Sequence, residues 1–547
     1  MNSAGRFEKP GKQGPRMKAL TPATGEAQKL QGWHFLLFNL CLGLSHALVT
    51  FNAGAYIAML PRVAAGLGIP PSFATWTQTD YMIGLALAFP VGGWLSRRLG
   101  EYRPFVAACF AFALASVICA WVTSFYAYLA GRIVLGFAGG LTLPLGQSLL
   151  IKEYPDRRKS IGMGVWSVFT LTPFTFAQPL GGWIADTLGW RWLFWLNIPA
   201  ALLIGGIVGA LLYRRGSARI RQRFDALGFV LITLALFGVQ TLLNQGNDWN
   251  WTHSFYLDGL LVSVVVTLSY WVVWELGQRR PFLDIGLFTQ RNFTIGVVIL
   301  FLGFLMFQGL LSMLIVQLQL AMGYSSLLAG LVFLPMAIFA KPVASVFHEV
   351  VKYFDARLLV SLNCLGFAAV YYWLSLFDGH DAFAQLFWPK VLEGACLGSF
   401  FVPVTALFLH GLPPERTWRA VELASLLRIA AGAMGIALQG IVIYRRAPMH
   451  MTHFAESHTI FDSRLDQTLD SLVSAGFDET AAIAKLARLA GRNAVIQAMN
   501  DAFWLASCLF MGLAVLVWFA KPTKLSAQRT LKQQQRLETQ EMLIEEP

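Results

Sequence analysis

Fourteen long apolar runs, nearly free of charge, divide the chain: 35–60, 76–95, 104–124, 127–150, 161–185, 191–213, 224–244, 255–276, 293–316, 325–346, 356–377, 384–407, 420–443 and 499–520. A helix that crosses a bilayer needs roughly 20 apolar residues, rising about 1.5 Å each. Fourteen such helices use about 300 residues, a little over half of the 547 in the chain. A transmembrane barrel would instead show shorter segments of alternating polarity. Only 13% of the residues are charged and 56% are hydrophobic, where a soluble domain carries about 25% charged residues. These runs exclude a soluble enzyme, a disordered chain and a disulfide scaffold. The fold class they predict is an all-α polytopic membrane protein.

Charge sets the expected orientation. The net charge of +12 does not come from one patch, so it gives no nucleic-acid surface. Basic residues cluster at the N-terminus and in alternate loops: Arg97, Arg98 and Arg103; Lys152, Arg157, Arg158 and Lys159; Arg214 to Arg223; Arg279, Arg280 and Arg291; later Lys352, Arg416 and Arg419. The other short loops carry almost none, Arg62 and Arg191 excepted. The positive-inside rule then places both termini in the cytoplasm, which an even span count requires. Residues 1–33 are polar and form an expected cytoplasmic tail, without the short apolar core of a signal peptide; 521–547 form a second tail. One external loop, 444–498, is long, and Phe461–Leu472 and Glu479–Ala498 within it have helical apolar spacing. It is read either as a small solvated cap or as a docking surface.

No phosphate-binding loop, HExxH, GxSxG or Cys/His metal spacing is present, so neither cofactor nor metal is expected. His450, His453 and His458 cluster in the long loop, but surface histidine clusters are usually inert. The six cysteines all lie inside apolar runs and are read as small buried hydrophobes.

Four stretches carry a resemblance: Gly131-Arg132 through Gly136, Gly140, Pro144 and Gln147-Ser148; Trp190-Arg191-Trp192 through Asn197-Ile198-Pro199; Asp284-Ile285-Gly286-Leu287-Phe288 to Arg291-Asn292-Phe293; and Gly411-Leu412-Pro413-Pro414-Glu415-Arg416 with Arg428 and Gly432. Together they make the chain, over about 35–522, similar to the fourteen-helix drug:proton antiporters of the major facilitator superfamily, in the EmrB/QacA branch. The resemblance implies a six-helix N-terminal half (34–213), two extra helices and their linkers (214–292) and a six-helix C-terminal half (293–520). It also implies a central cavity, alternating access driven by protons, and, for EmrB-type pumps, a periplasmic adaptor and an outer-membrane channel. The chain departs from the pattern in places. Asn52 precedes Pro61 where the family carries Asp; Arg97 stands where many relatives have Asp; and Ala177-Gln178-Pro179-Leu180-Gly181-Gly182 replaces Gly-Pro-x-x-Gly-Gly.

Ionisable groups inside spans are costly and therefore candidates for function. By helix rise, Asn52, Asp80 and Arg132 lie roughly 12, 6 and 8 Å from the outer ends of their spans. Asp80 is read either as the proton carrier that Asn52 is unable to be, with Arg132 setting its charge, or as an interfacial acid in contact with water. Lys390 and Glu393 stand one turn apart and form either a neutralised pair or a gate or anion site. Lys341 either snorkels or faces the cavity, and Arg428 lies roughly 12 Å into its span. Asn52, Lys341, Lys390, Glu393 and Arg428 are the candidate substrate contacts. Four cations (Arg132, Lys341, Lys390, Arg428) against two acids favour a carboxylate-bearing substrate. The expected function is a proton-driven inner-membrane exporter of amphipathic compounds, drugs or an anionic metabolite such as a carboxylate siderophore. An integral membrane enzyme or a sensor is the rival class.

Overall fold

The computed structural model describes residues 30–155, 159–213, 224–251, 254–278, 281–379, 382–457 and 463–523. Both expected tails beyond these limits, the basic cluster Arg214 to Arg223, and Arg157, Arg158, Arg279, Arg280 and His458 lie outside the described residues.

Sixteen α-helices are present among the described residues, and no strands. The N-terminal half comprises α1 (Gly32–Leu67), α2 (Pro71–Leu99), α3 (Tyr102–Trp121), α4 (Phe125–Glu153), α5 (Lys159–Thr187) and α6 (Trp192–Leu212). Then come α7 (Ala226–Gln245) and α8 (Phe255–Gly277). The C-terminal half holds α9 (Arg291–Leu320), α10 (Ser326–Leu331), α11 (Leu334–Tyr353), α12 (Ala356–Leu374), α13 (Ala382–Leu409), α14 (Pro414–Ser457), α15 (Ser463–Ser474) and α16 (Glu479–Leu516). Pro335 opens α11 and separates it from α10, so the tenth expected span is two consecutive pieces.

Twelve of these stretches are long and apolar enough to span a bilayer, α10 and α11 together making one. Two further 29-residue helices, α2 and α5, complete the halves although they are less apolar. For α2 the reason lies in its packing: it is buried continuously from Trp76 to Ala88, so its Thr77, Gln78, Thr79 and Asp80 face protein rather than lipid. At the other extreme α8 is barely buried and presents valines outward, as a lipid-facing helix does.

The two halves pack alike. In the first, α2 lies on α4, α1 on α5, and α3 on α4 and α6; in the second, α11 lies on α13, α9 on α14, and α12 on α13 and α16. Glycines allow these approaches, as small residues do between membrane helices. At Gly435 of α14 an added Cβ would sit 1.9 Å from the Leu305 carbonyl oxygen of α9. Helix α7 bridges the halves: Asn244 donates to Thr79 of α2 (3.0 Å) and Gln240 to the Ala433 carbonyl of α14 (3.5 Å). Asp225 caps α7 through Gly228 N (2.9 Å) and accepts from Trp274 Nε1 of α8 (3.2 Å), which holds the α7–α8 hairpin together.

The described residues begin and end on the same side of the bundle. Leu30 N donates to Glu153 at the end of α4, and Lys521 N to Asn292 at the start of α9. We call this the basic end. The opposite end carries the clearest departure from expectation. Residues 444–498 are not a loop between two spans but mostly extensions of them. Helix α14 runs unbroken for 44 residues and α16 for 38, about 66 and 57 Å against a hydrocarbon core of about 30 Å. Asp501 of α16 ties the extensions together, accepting from Arg446 Nε (2.6 Å) and pairing with His450 (2.7 Å). The short α15 packs on α16 where helical spacing was expected. We call this the hairpin end.

Candidate functional site

Among the described residues, the candidate groups fall into three clusters within the bundle. The first belongs wholly to the N-terminal half. Arg132, fully buried on α4, donates from Nη1 to Asn52 Oδ1 (3.1 Å), from Nη2 to Gln78 Oε1 (2.7 Å) and from Nε to the Thr77 carbonyl (3.4 Å). Its guanidinium lies 3.8 Å from the Tyr56 ring centre and 4.2 Å from that of Tyr81. Tyr128 donates to Tyr56 OH (3.0 Å), which is bonded in turn to Thr77 Oγ1 (2.6 Å). Every oxygen that Arg132 touches is neutral. Aromatic faces and amide dipoles hold the cation. Asn52 keeps a hydrogen bond where a carboxylate would make an ion pair, and its Nδ2 is left buried without a partner.

Asp80 is 3% exposed on α2. The expected pairing with Arg132 is not formed: Arg132 is taken by Asn52, Gln78 and Thr77 instead. Nor does Asp80 meet solvent in this closed form; its Oδ1 is buried with no hydrogen-bond partner. An ionised carboxylate so placed carries an uncompensated desolvation cost.

The second cluster belongs wholly to the C-terminal half. Lys390 Nζ and Glu393 Oε2 of α13 are 2.5 Å apart, and neither side chain is more than 1% exposed. Tyr371 of α12 donates to Glu393 Oε1 (3.1 Å), and Lys390 Nζ lies 4.6 Å from the Phe333 ring centre. The two residues, one turn apart in the sequence, are thus in ion-pair contact within the core of this half. Lys341 is half-buried on α11, next to Ala340, whose carbonyl faces Gly398 of α13. That places it about 12 Å along α13 from Lys390.

The third cluster sits where the halves meet. Arg428 of α14 lies between Phe304 of α9 (4.9 Å) and Phe401 of α13 (5.6 Å). Within its electrostatic reach from the other half is His46 of α1. The His46 ring meets Trp166 of α5 edge-on at 4.7 Å, and its Nδ1 is buried without a partner. A cation between two aromatic rings on one side and an imidazole packed on an indole on the other thus lie within electrostatic range of one another. Of the residues singled out from sequence, Arg428 alone stands at this junction; Asn52, Lys390 and Glu393 are each enclosed within one half. His46 and Trp166 escaped the sequence reading. A lone histidine in an apolar run carries no spacing signal, though the cost of burying a polar ring could have marked it.

The junction is closed at both ends. At the hairpin end Asp186 of α5 accepts from Arg62 Nη2 (3.0 Å) and from Leu327 N of α10 (2.8 Å). There Gly182 and Gly330 bring α5 and α10 into backbone contact. Gln319 of α9 donates to the Ala58 carbonyl of α1 (3.0 Å). At the basic end Gly93 of α2 packs against Glu422 and Trp418 of α14, and Asp284 faces Arg419 (3.9 Å) and Arg416 (4.0 Å). A polar, aromatic-lined junction sealed on two sides by separable helix pairs is what an alternating-access carrier requires.

Comparison with known proteins agrees. The sequence profile of the Major Facilitator Superfamily matches residues 42–436. The chain is 31% identical to the "Multidrug export protein EmrB" of Haemophilus influenzae over 90% of its length and 97% of that protein's. It is equally similar to the "Fatty acid resistance protein FarB" of Neisseria gonorrhoeae, with the same coverage, and 30% identical to EmrB of Escherichia coli K12 over 91% and 97%. Among solved structures, an auto-inhibited POT family peptide transporter superposes with a TM-score of 0.58 at 14% identity, covering 88% of this chain and 96% of that one. A D-xylose–proton symporter gives 0.55 at 14% identity, over 90% and 99%. These neighbours share the fold. The chain belongs to the major facilitator superfamily, as a multi-pass membrane transporter of the EmrB efflux type.

Proposed function

We propose that the protein exports amphipathic organic compounds across the bacterial inner membrane, driven by the proton gradient. The observation that carries this reading is Arg428, set between Phe304 and Phe401 where the halves meet, with the His46 imidazole of the other half, itself packed on Trp166, within electrostatic range. Aromatic walls suit an apolar body, and one cation suits an acidic head. Asn52 is unable to carry a proton; in the N-terminal half we assign that role to Asp80, whose carboxyl is buried in the closed state with Oδ1 lacking a hydrogen-bond partner. Arg132 polarises the same region without pairing. The basic end faces the cytoplasm with both termini, as the loop charges favour, and the hairpin end faces the periplasm. There the paired extensions of α14 and α16 offer a periplasmic adaptor, and through it an outer-membrane channel, a helical surface to pack on.

A second reading, a dedicated exporter of an anionic metabolite such as a carboxylate siderophore, is favoured by one specific feature. Among the described residues Arg132 makes no ion pair, and Arg428 packs against the rings of Phe304 and Phe401. Fatty-acid resistance in the name of the Neisseria relative fits the same chemistry. Flux of cholate, an amphipathic carboxylate, and of ethidium, a lipophilic cation, in proteoliposomes under an imposed pH gradient separates these readings. Movement of both supports broad export; movement of cholate alone supports the second reading. Movement of neither leaves the rival class, a membrane enzyme or sensor.

A further inference from the structure

The halves share more than a helix order. On α4, Arg132, Gly136 and Gly140 follow one another at intervals of four. A Cβ on Gly136 would meet the Tyr81 carbonyl oxygen of α2 at 2.1 Å, and one on Gly140 that of Leu85 at 2.5 Å. On α13, Lys390, Gly394 and Gly398 repeat the interval. There the contacts are the carbonyl oxygens of Met336 (2.4 Å) and Ala340 (2.1 Å) on α11. The facing carbonyls are four residues apart in both halves. The cations keep the same register too: Arg132 reaches Gln78, three residues before Tyr81, and Lys390 lies over Phe333, three residues before Met336. Lys390 is therefore the C-terminal counterpart of Arg132.

The surroundings of the two cations differ in one respect. Arg132 has amide, carbonyl and aromatic neighbours, while the residue three further along α4 is the buried Leu135. Lys390 has at that place a carboxyl, Glu393. A buried ion pair is seldom a gain in stability over apolar side chains of the same volume. Its distinctive property is that either partner, once neutralised, releases the other. We propose that Glu393 is a second proton-exchanging carboxyl of the transport cycle, in the C-terminal half, with Lys390 as the cation that holds and releases it. This rests on the reading of the protein as a proton-driven exporter.

In the step itself a proton adds to Glu393 Oε2, converting carboxylate to acid with no other bond changed. Lys390 keeps its charge and loses its counter-ion; the reverse step re-forms the pair. Tyr371 fixes the carboxyl through Oε1, and its own ring is stacked on Phe367 and Phe503. The titratable groups nearest to Glu393 are Lys390 and Cys396 on α13 and Tyr371 on α12, with Cys364 of α12 beside Cys396. Helices α11 and α16 bring aromatic side chains, Phe333 and Phe503. Lys390 lies about 12 Å, a little over two turns, from the hairpin-end start of α13.

The test uses the full-length protein in lipid and needs no known substrate for its first arm. Infrared titration should show a protonated-carboxyl band that grows on acidification, persists in Asp80→Asn and is absent from Glu393→Gln. In the second arm, Glu393→Gln should lose gradient-driven accumulation of ethidium or cholate by more than tenfold, with a far smaller loss of exchange. If exchange also collapses, the double variant Lys390→Gln/Glu393→Gln decides. Restored exchange without accumulation supports the proposal; restored accumulation, or no recovery of either, means the pair is structural and overturns it. An infrared titration unchanged in Glu393→Gln overturns it outright. Failure of the wild type to move either probe would sink the export reading, while the infrared arm would still decide for or against Glu393.

Discussion

Substituting Gly182 by alanine should prise open the hairpin end. The Cβ would lie 2.2 Å from the Ser326 carbonyl oxygen of α10, 2.5 Å from its carbonyl carbon and 2.7 Å from Leu327 N, where ordinary contact begins at 3.4 Å. The atoms in the way are backbone, so no side chain can swing aside; α5 and α10 must part by about 1 Å or more. That movement also strains the bond from Leu327 N to Asp186. Overpacking of this kind costs about 1–3 kcal/mol. The cost falls on the state in which α5 and α10 touch, and is relieved once they separate. A difference of about 1–3 kcal/mol between two states shifts their ratio by about 5–150-fold. The assay is the labelling rate of a reporter, Ser326→Cys, with a membrane-impermeant maleimide added from the hairpin side; exposed Cys508 is replaced by serine. Ser326 is 1% exposed in the closed form, so its labelling reports opening. The rate should rise about 5–150-fold with Gly182→Ala. An unchanged rate in a folded variant would show that α5–α10 contact is not a gate.

Other substitutions probe other parts of the account. Asp80→Asn should abolish gradient-driven accumulation while exchange of substrate persists; normal concentrating transport would reduce Asp80 to a buried structural acid. Arg428→Gln should depress cholate flux at least tenfold more than ethidium flux, about 1.4 kcal/mol of selectivity, and equal losses would make Arg428 a packing residue. A cysteine at Asp470 should label from outside intact cells; labelling only after permeabilisation would invert the orientation. Crosslinkers on the exposed Ile483 of α16 should trap an adaptor in whole cells, whereas full export in cells lacking every adaptor would remove that partner.

How far the sequence foretold this molecule depends on the length scale of each signal. A twenty-residue apolar run reports its own transfer to lipid, so the spans were legible even where buried Thr77 to Asp80 dilute α2. The Lys390–Glu393 pair was legible because one helical turn brings its members together whatever surrounds them. Contacts between distant segments were not. Arg132 is satisfied by Asn52 and Gln78, from two other helices, and nothing local says that Asp80, two residues past Gln78, points elsewhere. The region 444–498 misled for a different reason. A helix that leaves the membrane keeps its period but loses its apolarity, so hydropathy ended the span at residue 443 while α14 continued to Ser457. The junction of His46, Trp166 and Arg428 is set by how the halves dock, which no single run encodes.

The central claim is that substrate export is exchanged for protons, and coupled flux tests it most directly. Proteoliposomes containing the full-length protein and a trapped pH-sensitive dye are loaded with ethidium or cholate and diluted into substrate-free medium, without an imposed pH gradient. The account predicts that downhill substrate efflux drives protons inward, acidifying the lumen, and that Asp80→Asn weakens this proton movement. Substrate efflux at the same rate with no change in luminal pH would contradict it.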